Sequence, residues 1–239
     1  MGNAAVTRIV LAAAEHFAAG RPDQAEALCT EVLKAEPDHV PALHLAAVAA
    51  FVTDRAADGA ALLNRVFNID PDHAPALVTL GDALAVKGEH AGAVAAFQRA
   101  LRGRPDDAGL HNKLGVALGE LSRFGEAETA YRRAIALDAH LTRACFNLAV
   151  ALAEQGRLTE AEDAYRAVIA REPAFRGAWL NLGNVLADQN RFGDAVDAYR
   201  RALQLDPNDV GLICNLGAAL YRQGRLTAAL SVLAAKAES

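Results

Sequence analysis

Cysteine, tryptophan and methionine are scarce in this chain of 239 residues: three, one and one. The three cysteines, Cys29, Cys145 and Cys214, are an odd number without a CxxC spacing. That argues against a disulfide framework and fits a reducing compartment. No apolar run approaches the roughly 18–20 residues of a membrane span, so no membrane insertion is expected. Residues 8–14 faintly mimic a signal peptide, but Glu15 and His16 cut the apolar stretch short. Val6 stands where a myristoylation signal wants Ser or Thr. A cytoplasmic location is expected. Basic excess is lacking too: the formal charge is −5 and the pI near 5.8. The electrostatic footprint that nucleic acid demands is therefore missing.

Signatures of chemistry are equally thin. The histidines, at 16, 39, 44, 73, 90, 111 and 140, form no HxxxH pair and join no cysteine cluster, so no metal is expected. No nucleophile–base pair, phosphate loop or dinucleotide fingerprint is present, and neither a catalytic residue nor a cofactor is expected. His39 and His73 share one loop position, where capping or solvation is their expected role.

What the chain has is alanine, leucine and valine. Hydrophobic residues make up 53% and aromatics only 5%, and no segment alternates like a strand. Strong helix formers without strand patterning predict an all-α fold.

The prolines reveal a period. Pro37, Pro71 and Pro105 are 34 residues apart, Ala139 fills the next place, and Pro173 and Pro207 resume. With Val6 as position 1, repeats begin at 6, 40, 74, 108, 142, 176 and 210, with no insertion or deletion. Residues 1–5 are left as a tail and 6–239 as a single domain. Positions 4, 7, 8 and 11 form one apolar helical stripe, as in Trp179, Leu182, Gly183 and Leu186. Positions 20, 24, 27 and 28 form a second, as in Ala195, Tyr199, Ala202 and Leu203. Between them Gly20, Asp54, Gly88, Ser122, Gly156, Asn190 and Gly224 mark a helix end in the left-handed conformation. Each unit is a helix–turn–helix whose apolar faces need neighbours, which makes a solenoid.

The residues here carry a resemblance. The run from Gly177 to Asp209, GAWLNLGNVLADQNRFGDAVDAYRRALQLDPND, resembles a tetratricopeptide repeat. The resemblance covers nearly the whole chain and is sharpest in repeats three to six. It implies a right-handed α-solenoid of about seven 34-residue units, the last truncated, used as a protein-interaction scaffold.

In such arrays positions 2, 5, 6, 9, 12 and 13 of the first helix line a concave groove. Asn147, Asn181 and Asn215 all occupy position 6. An amide offers donors and an acceptor together, so a ladder of amides can hold an extended peptide backbone. The arrangement is similar to the asparagine ladder of O-linked N-acetylglucosamine transferases, although Leu11, Leu45, Thr79 and Lys113 occupy that position earlier. Asn112, Asn184, Lys113 and Arg143 join the ladder as candidate peptide-binding residues. Phe17, Leu45, Val48 and Phe51 form a candidate apolar groove patch near the N-terminus. Glu120, Glu154 and Asp188 share position 13, where Arg222 reverses the sign. Cys214 falls on the same face.

The leading reading is a non-catalytic module binding a protein or peptide in its groove. A second is the acceptor-recognition region of a longer bacterial glycosyltransferase, because the last helix looks too apolar for a capping end. A third is a homo-oligomer assembled through apolar terminal repeats.

Overall fold

The computed structural model describes residues 2–237. Among them the regular structure is entirely helical, with fourteen α-helices in seven pairs. In each pair a first helix (A) is followed by a second (B). The pairs are α1 (Asn3–Ala18) and α2 (Pro22–Ala35), α3 (Val40–Val52) and α4 (Ala56–Ile69), then α5 (Ala74–Val86) and α6 (His90–Gly103). They continue as α7 (Ala108–Glu120) and α8 (Phe124–Leu137), α9 (Thr142–Glu154) and α10 (Leu158–Arg171). The last are α11 (Arg176–Asp188) with α12 (Phe192–Leu205), and α13 (Val210–Arg222) with α14 (Leu226–Ala237). The first helix reaches back to Asn3, so residues 3–5 are helical rather than a tail. None of the helices among the described residues is long and apolar enough to cross a membrane.

The punctuation explains this regularity. All seven break residues have positive φ, from 57° at Ser122 to 82° at Gly224. The amide after each break closes the turn, as Arg55 donates to the Ala50 carbonyl (2.8 Å) and Arg191 to Leu186 (2.8 Å). This is the six-to-one bond of a Schellman end. Four of the A helices, α3, α5, α7 and α13, begin on side-chain caps. His39 Nδ1 accepts from the Ala42 amide at 3.2 Å and His73 Nδ1 from Ala76 at 3.3 Å. Asp107 and Asp209 do the same for Leu110 (2.9 Å) and Leu212 (3.0 Å). All four caps stand at position 34, and each satisfies one orphan helix donor.

The chain divides into two compact units, Met1–Leu110 and His111–Ser239. In the first, one core gathers Val6, Ala13, Ala25, Cys29, Val32, Ala42 and Ala46, and another gathers Leu43, Ala47, Leu63, Val66 and Ala76. In the second a continuous core runs from Ala149 through Tyr165, Leu182, Tyr199 and Leu216 to Ala229.

At three repeats a glycine at position 8 lies against an aromatic ring. At Gly115 an added Cβ would lie 2.5 Å from Tyr131 Cε1, and at Gly183 it would overlap Tyr199 Cε1. The glycine makes room for the position-24 ring of its own repeat. In repeat seven that ring is replaced by Leu233, and the clearance at Gly217 widens to 3.0 Å.

Consecutive repeats are also clasped by charge. Arg55 pairs with Glu26, Arg157 with Glu128 (2.7 Å) and Arg191 with Glu162 (2.7 Å). Each clasp joins position 16 of one repeat to position 21 of the one before. Glu162 is buried, 4% exposed, between Arg191 and Arg166. Arginines within the B helices are also tied to specific partners. Arg132 bonds Glu128 (2.9 Å), and Arg99 bonds Asp72 (2.8 Å) and the Pro71 carbonyl (2.6 Å).

Candidate functional site

In the second unit the A helices α7, α9, α11 and α13 present their groove positions side by side, and three hollows recur in one register. The first, of about 410 Å³, is lined by Val116, Glu120, Tyr131, Asn147, Val150 and Glu154. The second, of about 580 Å³, has Val150, Glu154, Tyr165, Asn181, Asn184 and Asp188. The third, of about 230 Å³, has Asp188, Phe192, Tyr199, Asn215 and Arg222. Each hollow brings together a carboxylate, a tyrosine and the amide of the next repeat.

The asparagines are half-buried rather than free in solvent. Asn147 donates from Nδ2 to Asn112 Oδ1 at 3.0 Å, and Asn215 Nδ2 donates to Asn184 Oδ1 at 3.3 Å. Tyr199 donates to the same Asn184 oxygen at 2.8 Å, and Asn181 is hydrogen-bonded to the Tyr165 hydroxyl. An amide can make about four hydrogen bonds, so each keeps capacity for a ligand while its neighbour fixes its orientation. The structure thus brings Asn112 to Asn147 and Asn184 to Asn215. Lys113 is half-buried and Arg143 exposed, and neither lines a hollow.

The tyrosine hydroxyls escaped the sequence reading, which took position 24 as core. Their rings are indeed buried, at 4%, 1% and 3% exposed for Tyr131, Tyr165 and Tyr199. Burial pushes the phenols up, Tyr165 and Tyr199 to about 12, and the nearby Glu154 and Asp188 charges add to it. Burial and Glu120 act in the same sense on Tyr131. The hydroxyls therefore stay protonated and remain donors. A signal was available in the sequence. Phe97 gives way to Tyr131 at the same repeat where Val86 gives way to Glu120, and Lys113 yields to Asn147 one repeat on.

Residues of the candidate apolar patch in the first unit divide between two cores. Phe17 and Leu45 pack against the α1–α2 core. Phe51 lies against the second core, its ring over Gly59, where a Cβ would meet it at 2.9 Å. Val48 and Phe51 line a hollow of about 420 Å³ with Val52, Thr79, Asp82 and Val86. It occupies the same register as the polar hollows, but Val52 and Val86 are 63% and 90% exposed where carboxylates stand in the second unit. His44 Nε2 meets Thr79 Oγ1 at 2.8 Å, between the two positions that hold Asn112 and Asn147. Cys214 is exposed, Cys145 partly buried and Cys29 buried.

Comparisons with known proteins agree with this architecture. The tetratricopeptide repeat family is matched over residues 16–80, 112–171, 146–210 and 186–237, and a further TPR repeat over 81–122. YrrB, a solved TPR protein described as having an unusual peptide-binding site, is 23% identical with TM-score 0.70, covering 82% of this chain and 97% of its own. MamA from Desulfovibrio magneticus RS-1 is 20% identical with TM-score 0.66, over 69% of this chain and 93% of that one. PilF of Pseudomonas aeruginosa is 14% identical with TM-score 0.75, over 86% and 93%. At these identities the structures speak for the fold alone. A comparison with curated proteins returns no match. With helix pairs, turns and family matches recurring along nearly all of its length, this chain belongs to the tetratricopeptide repeat family.

Proposed function

We propose that this protein is an interaction scaffold whose second unit holds an extended peptide segment across the A helices. One observation carries the reading. Positions 13 and 24 of one repeat and position 6 of the next are separated in sequence, become carboxylate, tyrosine and asparagine together in three consecutive repeats, and line one hollow each time. Packing alone gives no reason for that coincidence, because Val86, Phe97 and Lys113 fill the same three places one repeat earlier. The description of YrrB as a peptide-binding TPR protein supports the same class of partner. The amides Asn147, Asn181 and Asn215 would pair with the ligand backbone, and Asn112 and Asn184 would hold two of them in orientation.

The test is selection of a displayed random-peptide library on the full chain, followed by binding to an Asn147→Ala, Asn181→Ala, Asn215→Ala variant whose fold is checked by circular dichroism. Selected peptides should lose about tenfold or more in affinity, since each lost pair of backbone hydrogen bonds weakens binding by about 1–2 kcal/mol. Equal affinity for both proteins overturns the reading.

The amide ladder also motivates a second reading, acceptor recognition for a longer glycosyltransferase. Sequencing the gene beyond the Ser239 codon separates the two. A frame continuing into a nucleotide-sugar-binding domain favours this second reading, and a stop codon removes it.

A further inference from the structure

The first two hollows carry negative charge alone, and the third sets Asp188 beside Arg222. Glu120, Glu154 and Asp188 form no ion pair among the described residues, whereas Glu126, Glu128, Glu160, Glu162 and Asp194 on the neighbouring B helices are all paired with arginine. The unpaired carboxylates are exposed at the rims, each beside a tyrosine whose ring is buried and an oriented amide. Two adjacent carboxylates line the first hollow, and two the second. Arg222, over the Phe192 ring at 4.9 Å, ends the acidic row.

Spacing adds a second constraint. Successive A helices are close enough for their side chains to bond, at Asn147–Asn112 and Asn215–Asn184, which sets corresponding positions about one helix diameter, ~10 Å, apart. A polyproline II segment rises about 3.1 Å per residue with three residues per turn. It therefore returns a side chain to the same face every ~9 Å, one hollow further on. A β-strand, with a side-chain period of two at about 3.3 Å, reaches the same face every ~6.6 Å and falls out of step. The polyproline II backbone also makes no internal hydrogen bonds, which leaves its groups for the amides.

We propose that the occupant of this face is a basic segment in polyproline II conformation, with Lys or Arg at every third residue meeting Glu120, Glu154 and Asp188 in turn. This deepens the peptide reading above and rests on it.

The probes are three labelled peptides of equal length, each acetylated and amidated at its ends. The first repeats the triplet Lys-Ser-Pro four times. The second is its isomer, with the four lysines gathered at the N-terminus ahead of four Ser-Pro pairs. The third repeats Gln-Ser-Pro four times. Binding to the full chain is followed by fluorescence anisotropy at low and high salt. The spaced peptide should bind about tenfold more tightly than either control and weaken as salt rises. A Glu120→Gln, Glu154→Gln, Asp188→Asn variant, isosteric at exposed sites, should lose that advantage. Equal binding of the spaced and clustered lysines overturns the register, and equal binding of the glutamine peptide overturns the charge. If the glutamine peptide binds equally and the asparagine variant loses it, the peptide reading survives and only the basic ligand falls. If no probe binds, the basic ligand falls, and the library selection still decides the peptide reading.

Discussion

Single residues carry sharply different burdens in this chain. At φ 57° Ser122 holds a conformation that costs a non-glycine residue about 1–2 kcal/mol. Ser122→Gly should therefore raise the thermal midpoint by a few degrees, and Asn190→Ala should lower it. Gly183→Ala would drive a methyl into the Tyr199 ring and cost about 1–3 kcal/mol. The double change Gly183→Ala, Tyr199→Leu should recover part of that loss, because repeat two already pairs Ala47 at position 8 with Leu63 at position 24. Urea unfolding of the two single variants and the double variant measures the coupling. His44 sets a pH dependence. Burial, with His73 beside it, lowers its pKa from 6.5 to about 4. The folded chain thus resists a proton that the unfolded chain accepts. This contribution is complete above pH 6.5 and is lost as pH falls towards 4. His44→Gln should flatten the stability profile between about pH 6.5 and 4 while keeping a partner for Thr79. An unchanged slope would remove His44 as its source.

At the scale of the helix, what could be read from the sequence was what repeats. The breaks at Gly20 through Gly224 announced their backbone conformation because only Gly and short polar residues tolerate it. His39 and His73 showed their capping role by sharing one place. The Arg–Glu clasps were less legible, since each joins residues 29 apart and no local pattern links them. They also occur only where position 21 is acidic. Val94 and Val196 stand there at two other junctions, and both are buried, 4% and 2% exposed. Hidden too was the fate of the asparagines. Periodicity locates Asn147 on a face, but its bond to Asn112 depends on how closely two helices approach. The tyrosines misled for a related reason: a ring can be core while its hydroxyl reaches the surface. The clasp makes its own prediction. Burial raises the pKa of Glu162, but hydrogen bonds from Arg191 and Gln189 with the Arg166 charge outweigh it and hold the carboxyl below its usual range. That stability is present above pH 4.5 and drains away below it. Glu162→Ala should cost about 1–3 kcal/mol, discounted because its arginine partners are half-exposed.

For the whole molecule, a solenoid stabilises itself through neighbours, so damage stays local. Gly183→Ala should lower hydrogen-exchange protection in α11, α12 and α13 while leaving α3 to α5, in the other compact unit, unchanged. Uniform loss across all helices would mean that the two units unfold as one.

The unbroken 34-residue frame has a consequence at the level of the gene. Removing 34 consecutive codons from any starting point inside the array leaves every later residue in phase with its turns, caps and rings. Loss of codons 142–175 would bring Glu128 opposite Arg191, so an existing clasp would be remade from two old halves. Unequal recombination between copies can thus lengthen or shorten this protein in whole steps, each change adding or removing one helix pair and its clasp positions.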